Sequence, residues 1–154
     1  MKFTEIPIYD AIYDVYTNCE NQNLEPRSTK WLISKNKRQL LVNEITSKLS
    51  PESKKELGLI VSDEEEILTA WEHFGKRAYS KKQAGLKLTI EIIRKFGAKC
   101  SYAGRLGNKC NDTVSVDRMD AGGEYSLKNC IICCQACNSK RGPKPIDQAI
   151  RNTK

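Results

Sequence analysis

The sequence predicts an α+β chain. A mostly helical region occupies residues 1–97, a small metal-stapled module of strand, turn, strand and helix occupies 98–142, and a basic tail occupies 143–154. Three observations carry this. Apolar residues recur at helical spacing as far as Phe96 and then alternate with period two from Thr113. Of 7 cysteines, all but Cys19 crowd the last third, with Cys134 and Cys137 at the spacing of a zinc knuckle. The charge is uneven as well: residues 1–96 carry 16 Lys+Arg against 14 Asp+Glu, whereas 97–154 carry 10 against 5. A basic excess around a metal-binding module suits a polyanion such as nucleic acid, and a purely solubilising charge is the plainer alternative.

Pro7 opens the first helix, and Ile8, Ile12, Val15, Tyr16 and Cys19 follow on one face. Cys19 there reads as a small core residue. Turn residues from Asn18 to Pro26 break the pattern. Residues 28–49 return to helical spacing through Trp31, Leu32, Leu40, Leu41, Ile45 and Leu49. The basic run Lys35 to Arg38 within them suits either a solvated face or contact with phosphate. Ser50, Pro51 and Glu52 read as the cap and first turn of a short helix ending at Gly58. A capping box of Ser62 and Glu65 starts a helix reaching about Tyr79, with a buried stripe of Ile67, Leu68, Trp71, Phe74 and Ala78. His73, the only histidine, sits beside that stripe and is weighed both as a base and as a half-buried structural residue. After a basic connector at 80–87, Thr89 is expected to cap a last helix through Ile90, Ile92, Ile93 and Phe96, stopped by Gly97. No catalytic motif, internal repeat or low-complexity tract occurs up to that point.

The module begins with a Gly- and Asn-punctuated loop from Cys100 to Asn111. Val114 and Val116 then fall on one face of a strand, and Ser115 and Asp117 on the other. Ala121 to Glu124 makes a turn, Asn129 to Cys133 a second strand, and Gln135 to Lys140 a helix closed by Gly142 and Pro143. Cys100 and Cys110 are the candidate partners of Cys134 and Cys137 for one Zn²⁺, because four thiolates would staple a module too small to bury its own core. Cys130 and Cys133 share the same spacing but lie in a strand, where side chains alternate. Buried free cysteines without zinc are the alternative.

At 154 residues the chain suits one domain, or a small module with a helical extension, since domains commonly run about 100–150 residues. No window approaches the roughly 18 apolar residues of a membrane span, and the stretch from Lys2 to Ile12 lacks the apolar centre of a signal peptide. A soluble, intracellular, cytoplasmic protein is expected, with reduced cysteines available for metal.

Asp117-Arg118-Met119-Asp120, Gly122 and Gly123, Glu124-Tyr125, Asn129, Cys134-Gln135-Ala136-Cys137-Asn138 and Lys140 together resemble the HNH endonucleases. The likeness is to the phage and mobile-element branch with Asp-Arg-Ile-Asp, and it covers about residues 98–142. It implies a ββα-metal fold and hydrolysis of DNA phosphodiester bonds. It also implies that Asp117 and Asn138 ligate one catalytic Mg²⁺ or Mn²⁺, that Asn129 braces the hairpin loop, and that Lys140 and Arg141 neutralise phosphates. DNA is the implied partner, and a homodimer would serve double-strand cutting. Where the family usually has a histidine after the metal-binding aspartate, this chain has Arg118, whose guanidinium stays protonated and cannot be a base. Arg118 could clamp the phosphate instead, with water activated by the metal or by His73, Asp120 or Tyr125. A catalytically inactive, zinc-stabilised nucleic-acid-binding protein of the same fold is the alternative.

Overall fold

The computed structural model describes residues 1–24, 26, 33–57, 64–80 and 83–143. They form two compact units, one spanning Thr4–Ser80 and the other combining Met1–Phe3 with the described residues from 83 onward. No helix among the described residues is long and apolar enough to cross a membrane.

A 3₁₀ turn, Phe3–Glu5, leads into α1 (Ile6–Asn21), the first helix of the Thr4–Ser80 unit. Its proline sits in the first turn, where a missing N–H costs no intrahelical bond. Ile8, Ile12, Val15 and Tyr16 are buried, and Cys19 is half-buried. The next helix, α2 (Lys35–Ser47), starts where extended Ser34 accepts a hydrogen bond from the Lys37 N–H. Val42, Ile45 and Leu49 are buried around it, while Leu40, expected on the apolar face, is 66% exposed. Lys30, Trp31 and Leu32 lie outside the described residues.

A short helix, α3 (Pro51–Glu56), is capped by Ser50, whose hydroxyl accepts from the Ser53 N–H at 3.1 Å. Gly58, Ser62 and Asp63 lie outside the described residues. The glutamates at 64, 65 and 66 form the first turn of α4 (Glu64–Arg77), at the positive end of its dipole. Ile67, Leu68, Trp71, Phe74 and Ala78 are all buried. α1, α2 and α4 pack on one another, and Tyr16 meets Trp71 and Phe74 at centroid distances of 5.7 and 5.1 Å.

The second unit is a small two-stranded sheet with helices. α5 (Leu86–Phe96) is capped by extended Gly85, so Thr89 lies inside the helix instead of capping it. The Thr89 hydroxyl returns to the Gly85 carbonyl at 2.9 Å, as a threonine within a helix commonly does. Gly97, at φ 99°, ends the helix. α5 packs on β2, with Ile90, Ile92 and Ile93 buried, so it belongs to the compact unit of the hairpin although its sequence pattern continues that of the preceding helices. β1 (Val114–Arg118) and β2 (Cys130–Cys134) pair antiparallel, with Val114 opposite Cys134 and Asp117 opposite Ile131. α6 (Gln135–Arg141) follows β2 directly and packs on both strands.

Two further segments close this unit. Lys2 forms a bridge with Thr113, the Phe3 N–H donates to the Asp112 carbonyl at 2.9 Å, and the Val114 N–H donates to the Met1 carbonyl at 3.0 Å. The loop before β1 coils through left-handed residues at Ala103, Gly104 and Gly107 (φ 47°, 81° and 84°). This buries Tyr102 and Leu106 against Cys133, Cys134 and Cys137. The connector lysines 81 and 82 and the expected basic tail beyond Pro143 lie outside the described residues.

Candidate functional site

Cys134 ends β2, caps α6 by accepting from the Cys137 N–H, and offers its sulfur to a cluster. With Cys100, Cys110 and Cys137 it forms a set whose sulfurs all lie within 4.8 Å of one another. The Cys110 and Cys137 sulfurs are 3.7 Å apart. Tetrahedral zinc with Zn–S bonds of about 2.3 Å sets its sulfurs about 3.8 Å apart, so the four thiols could hold one such ion. Cys130 and Cys133 are fully buried in β2 and take no part. The Asn108 amide donates to the Cys137 sulfur at 3.5 Å, and Asn111 supplies an acceptor to the Ala136 N–H at 3.4 Å.

The thiols differ electrostatically. Burial alone would raise Cys134, but the N–H groups of Cys137 and Asn111 and the neighbouring thiols bring it down to about 7. Burial pushes Cys137 up to about 12. One thiol ionising near neutrality while its neighbour keeps its proton is how crowded like charges behave without a cation.

One turn further along α6 lies a carboxylate network. Asp117 is 6% exposed, and its Oδ1 is 2.8 Å from Arg141 Nη1. The Tyr102 hydroxyl donates to Oδ2. Arg141, 1% exposed, also donates to the Arg118 carbonyl and, at 2.7 Å, to that of Met119. The phosphate-neutralising role implied for Arg141 is therefore corrected: its guanidinium is inside, tying α6 to the end of β1. The cause is helical spacing, because Arg141 lies four residues beyond buried Cys137 on the same face. Burial alone would lower the arginine's pKa, but Asp117 raises it above the ordinary value. Burial and then the hydrogen bond to Asp117 push Tyr102 upward. Lys140 is exposed.

A cleft of about 250 Å³ opens beside this network, lined by Val116, Asp117, Arg118, Tyr125, Asn138 and Pro143 among others. Asn138 donates its amide nitrogen to Ser115 Oγ at 2.7 Å, which leaves its oxygen as the group available to a cation. Each Asp117 oxygen likewise keeps a second lone pair beyond the bond it already accepts. Arg118 is fixed at the rim, with Nη1 donating to the Gly123 carbonyl at 2.9 Å and its guanidinium stacked 4.7 Å from the Tyr125 ring centroid.

Asn129 holds the loop between the strands. Its oxygen accepts from the Asp120 N–H at 3.0 Å, and its nitrogen donates to the carbonyls of Asp120 (3.1 Å) and Glu124 (3.0 Å). Asp120 spends one carboxylate oxygen on the Gly122 N–H at 3.0 Å. Gly123 permits this arrangement, since a Cβ there would stand 2.6 Å from Asn129 Nδ2 and 3.3 Å from the Asp120 carbonyl. Gly123→Ala is accordingly expected to displace the Asn129 amide and lower stability by about 1–3 kcal/mol. Urea unfolding should show that loss, and Asn129→Ala should make the glycine replacement nearly harmless.

His73 belongs to the helical unit, where its ring packs edge-on against Tyr9 at 5.9 Å and burial lowers its pKa. The structure thus gathers Asp117, Arg118, Tyr125 and Asn138 around one cleft, with Asn129 and Asp120 in the adjoining loop. Tyr102, Ser115 and Asn108 are site residues that sequence reading passes over. Only Tyr102 carries a local signal, an aromatic residue two positions after a cysteine of the cluster. The class so defined is a helical protein with a small hairpin-and-helix unit that couples a four-cysteine cluster to a carboxylate-and-amide cleft. No family model, curated protein or solved structure matches the chain.

Proposed function

We propose that the chain is a metal-dependent DNA endonuclease of the HNH type, in which Asp117 and Asn138 hold one Mg²⁺ or Mn²⁺ and the four cysteines hold structural Zn²⁺. The observation that carries this reading is that Asp117 on β1 and Asn138 on α6 line one open cleft. A carboxylate and an amide oxygen are the hard donors such ions prefer, and two protein ligands leave positions for water and a phosphate. When bound, the ion would stabilise charge on the scissile phosphate and make water more acidic. Arg118, held by Gly123 and Tyr125, contributes a permanent positive charge at the rim and orients a phosphate. Exposed Lys140 adds affinity for the backbone independent of sequence. Of the three side chains considered for the proton, Tyr125 lines the cleft.

A second reading, a catalytically inactive zinc-stabilised nucleic-acid-binding protein, is favoured by the pairing of Asp117 with Arg141, which already neutralises the carboxylate. Supercoiled plasmid separates the two. Wild-type protein with Mn²⁺ should nick it, EDTA should stop nicking, and Asn138→Ala should slow it at least about 100-fold while retaining the fold and DNA binding. Absence of cutting with either metal, alongside salt-dependent DNA binding, would favour the second reading.

A further inference from the structure

We infer that Tyr102 is a positioning residue through which metal in the four-cysteine site sets the divalent-ion affinity of the Asp117–Asn138 cleft. The inference rests on the endonuclease reading above and adds a form of regulation to it.

The connection is short and continuous. Tyr102 stands two residues after Cys100, in a loop that begins and ends at cysteines of the cluster. Its ring is 2% exposed and packs in a core with Cys133, Cys134 and Cys137. Backbone bonds fix its place: the Ser101 N–H donates to the Ile132 carbonyl at 2.9 Å, and the Arg105 N–H donates to the Tyr102 carbonyl at 2.8 Å. From there the hydroxyl reaches Asp117 Oδ2, opposite the oxygen that Arg141 holds. The far end of the same path is α6, where Cys137 is a member of the cluster and its neighbour Asn138 lines the cleft.

The physical need for such a link follows from the loop itself. It has no helix or strand, and it turns through three left-handed residues. Ala103 pays a steric penalty in that region that glycine does not. A metal gripping Cys100 and Cys110 closes the loop at both ends and so limits where the Tyr102 hydroxyl can point. A carboxylate that accepts a fixed O–H on one oxygen and a guanidinium on the other has its plane and remaining lone pairs set before a cation arrives. Partners of this kind around a metal-binding side chain typically change affinity by about 10–100-fold when removed.

The test uses the full chain loaded with zinc and reads Mn²⁺ binding by electron paramagnetic resonance of the free ion, alongside plasmid cleavage. Tyr102→Phe should keep the wild-type zinc content, weaken Mn²⁺ by about tenfold or more, and regain most of the wild-type cleavage rate at saturating Mn²⁺. Cys110→Ser, at an exposed position, should lose zinc and Mn²⁺ affinity together. Because zinc loss also unfolds this unit, it is Tyr102→Phe with zinc retained that separates the hydroxyl from the fold. Unchanged Mn²⁺ affinity in Tyr102→Phe would overturn the inference and leave the endonuclease reading standing. Loss of zinc from Tyr102→Phe would also overturn it, because the hydroxyl would then be serving the core. Wild-type protein that binds no Mn²⁺, or an Asn138→Ala chain that binds it as well as wild type, would overturn both.

Discussion

Cys137→Ser, or removal of metal by a strong chelator, will unfold the hairpin unit while the helical unit stays folded. Structural zinc in small cysteine sites contributes about 10–16 kcal/mol of apparent binding free energy, comparable with the whole stability of an ordinary domain at about 5–15 kcal/mol. Apart from the buried face of α5 (Ile90, Ile92 and Ile93) and the small core around Tyr102 and Leu106, little else in this unit could offset that loss. A two-stranded hairpin is marginal in water, and α6, with 7 residues, is too short to persist by helix propensity. The helical unit has a core of its own in Ile12, Ile45, Ile67 and Phe74. Buried Trp71 lies in that unit, so a change in its fluorescence reports the helical unit, and hydrogen exchange at the β2 and α6 amides reports the other. Protected β2 amides in a metal-free Cys137→Ser chain would rule out a structural metal.

The second large effect concerns the buried pair. Asp117→Ala leaves the Arg141 guanidinium 1% exposed without its counter-ion, a change that typically costs about 3–5 kcal/mol. Replacing both residues by apolar side chains, as in Asp117→Leu with Arg141→Met, should recover most of that stability in thermal melts, because two desolvated charges disappear together. Arg141→Lys should recover little, since an ammonium cannot reproduce the fork that spans Asp117 and the carbonyls of Arg118 and Met119. If Asp117→Ala melts like wild type, Arg141 has found other partners and the pair does not hold α6 to β1. Loss of cleavage in Asp117→Ala would mix damage to the fold with loss of a ligand. Asn138, partly exposed and bonded to Ser115 alone among the described side chains, is the cleaner position for testing ion binding.

The hairpin and α6 were legible because period-two alternation gives way at Cys134 to a cysteine that both caps a helix and repeats three positions later. The four-cysteine set was legible from spacing, since alternation puts Cys130 and Cys133 on opposite faces of a strand and makes them a poor pair, whereas the loop from Cys100 to Cys110 can return to Cys134 and Cys137. Asn129 was legible through its resemblance to a loop-bracing asparagine. Arg141 was misplaced although its position could have been read. Beside Lys140 it looks like a second surface cation, yet its distance of four from Cys137 puts it on the buried face. Tyr102 could not be assigned a role in advance, because its partner Asp117 is fixed by loop closure and not by any local period. The same holds for α5, whose apolar face says that it packs but not that it packs on β2.

Met1–Phe3 and the hairpin together make one compact unit, although the whole of α1 to α4 separates them along the chain. As the polypeptide leaves the ribosome, the helical unit has all its parts within the first 80 residues and can fold early. The Lys2 bridge must wait for Thr113, more than a hundred positions later. Contacts of such high sequence separation form slowly, so the edge of β1 should be the last part of the sheet to be covered.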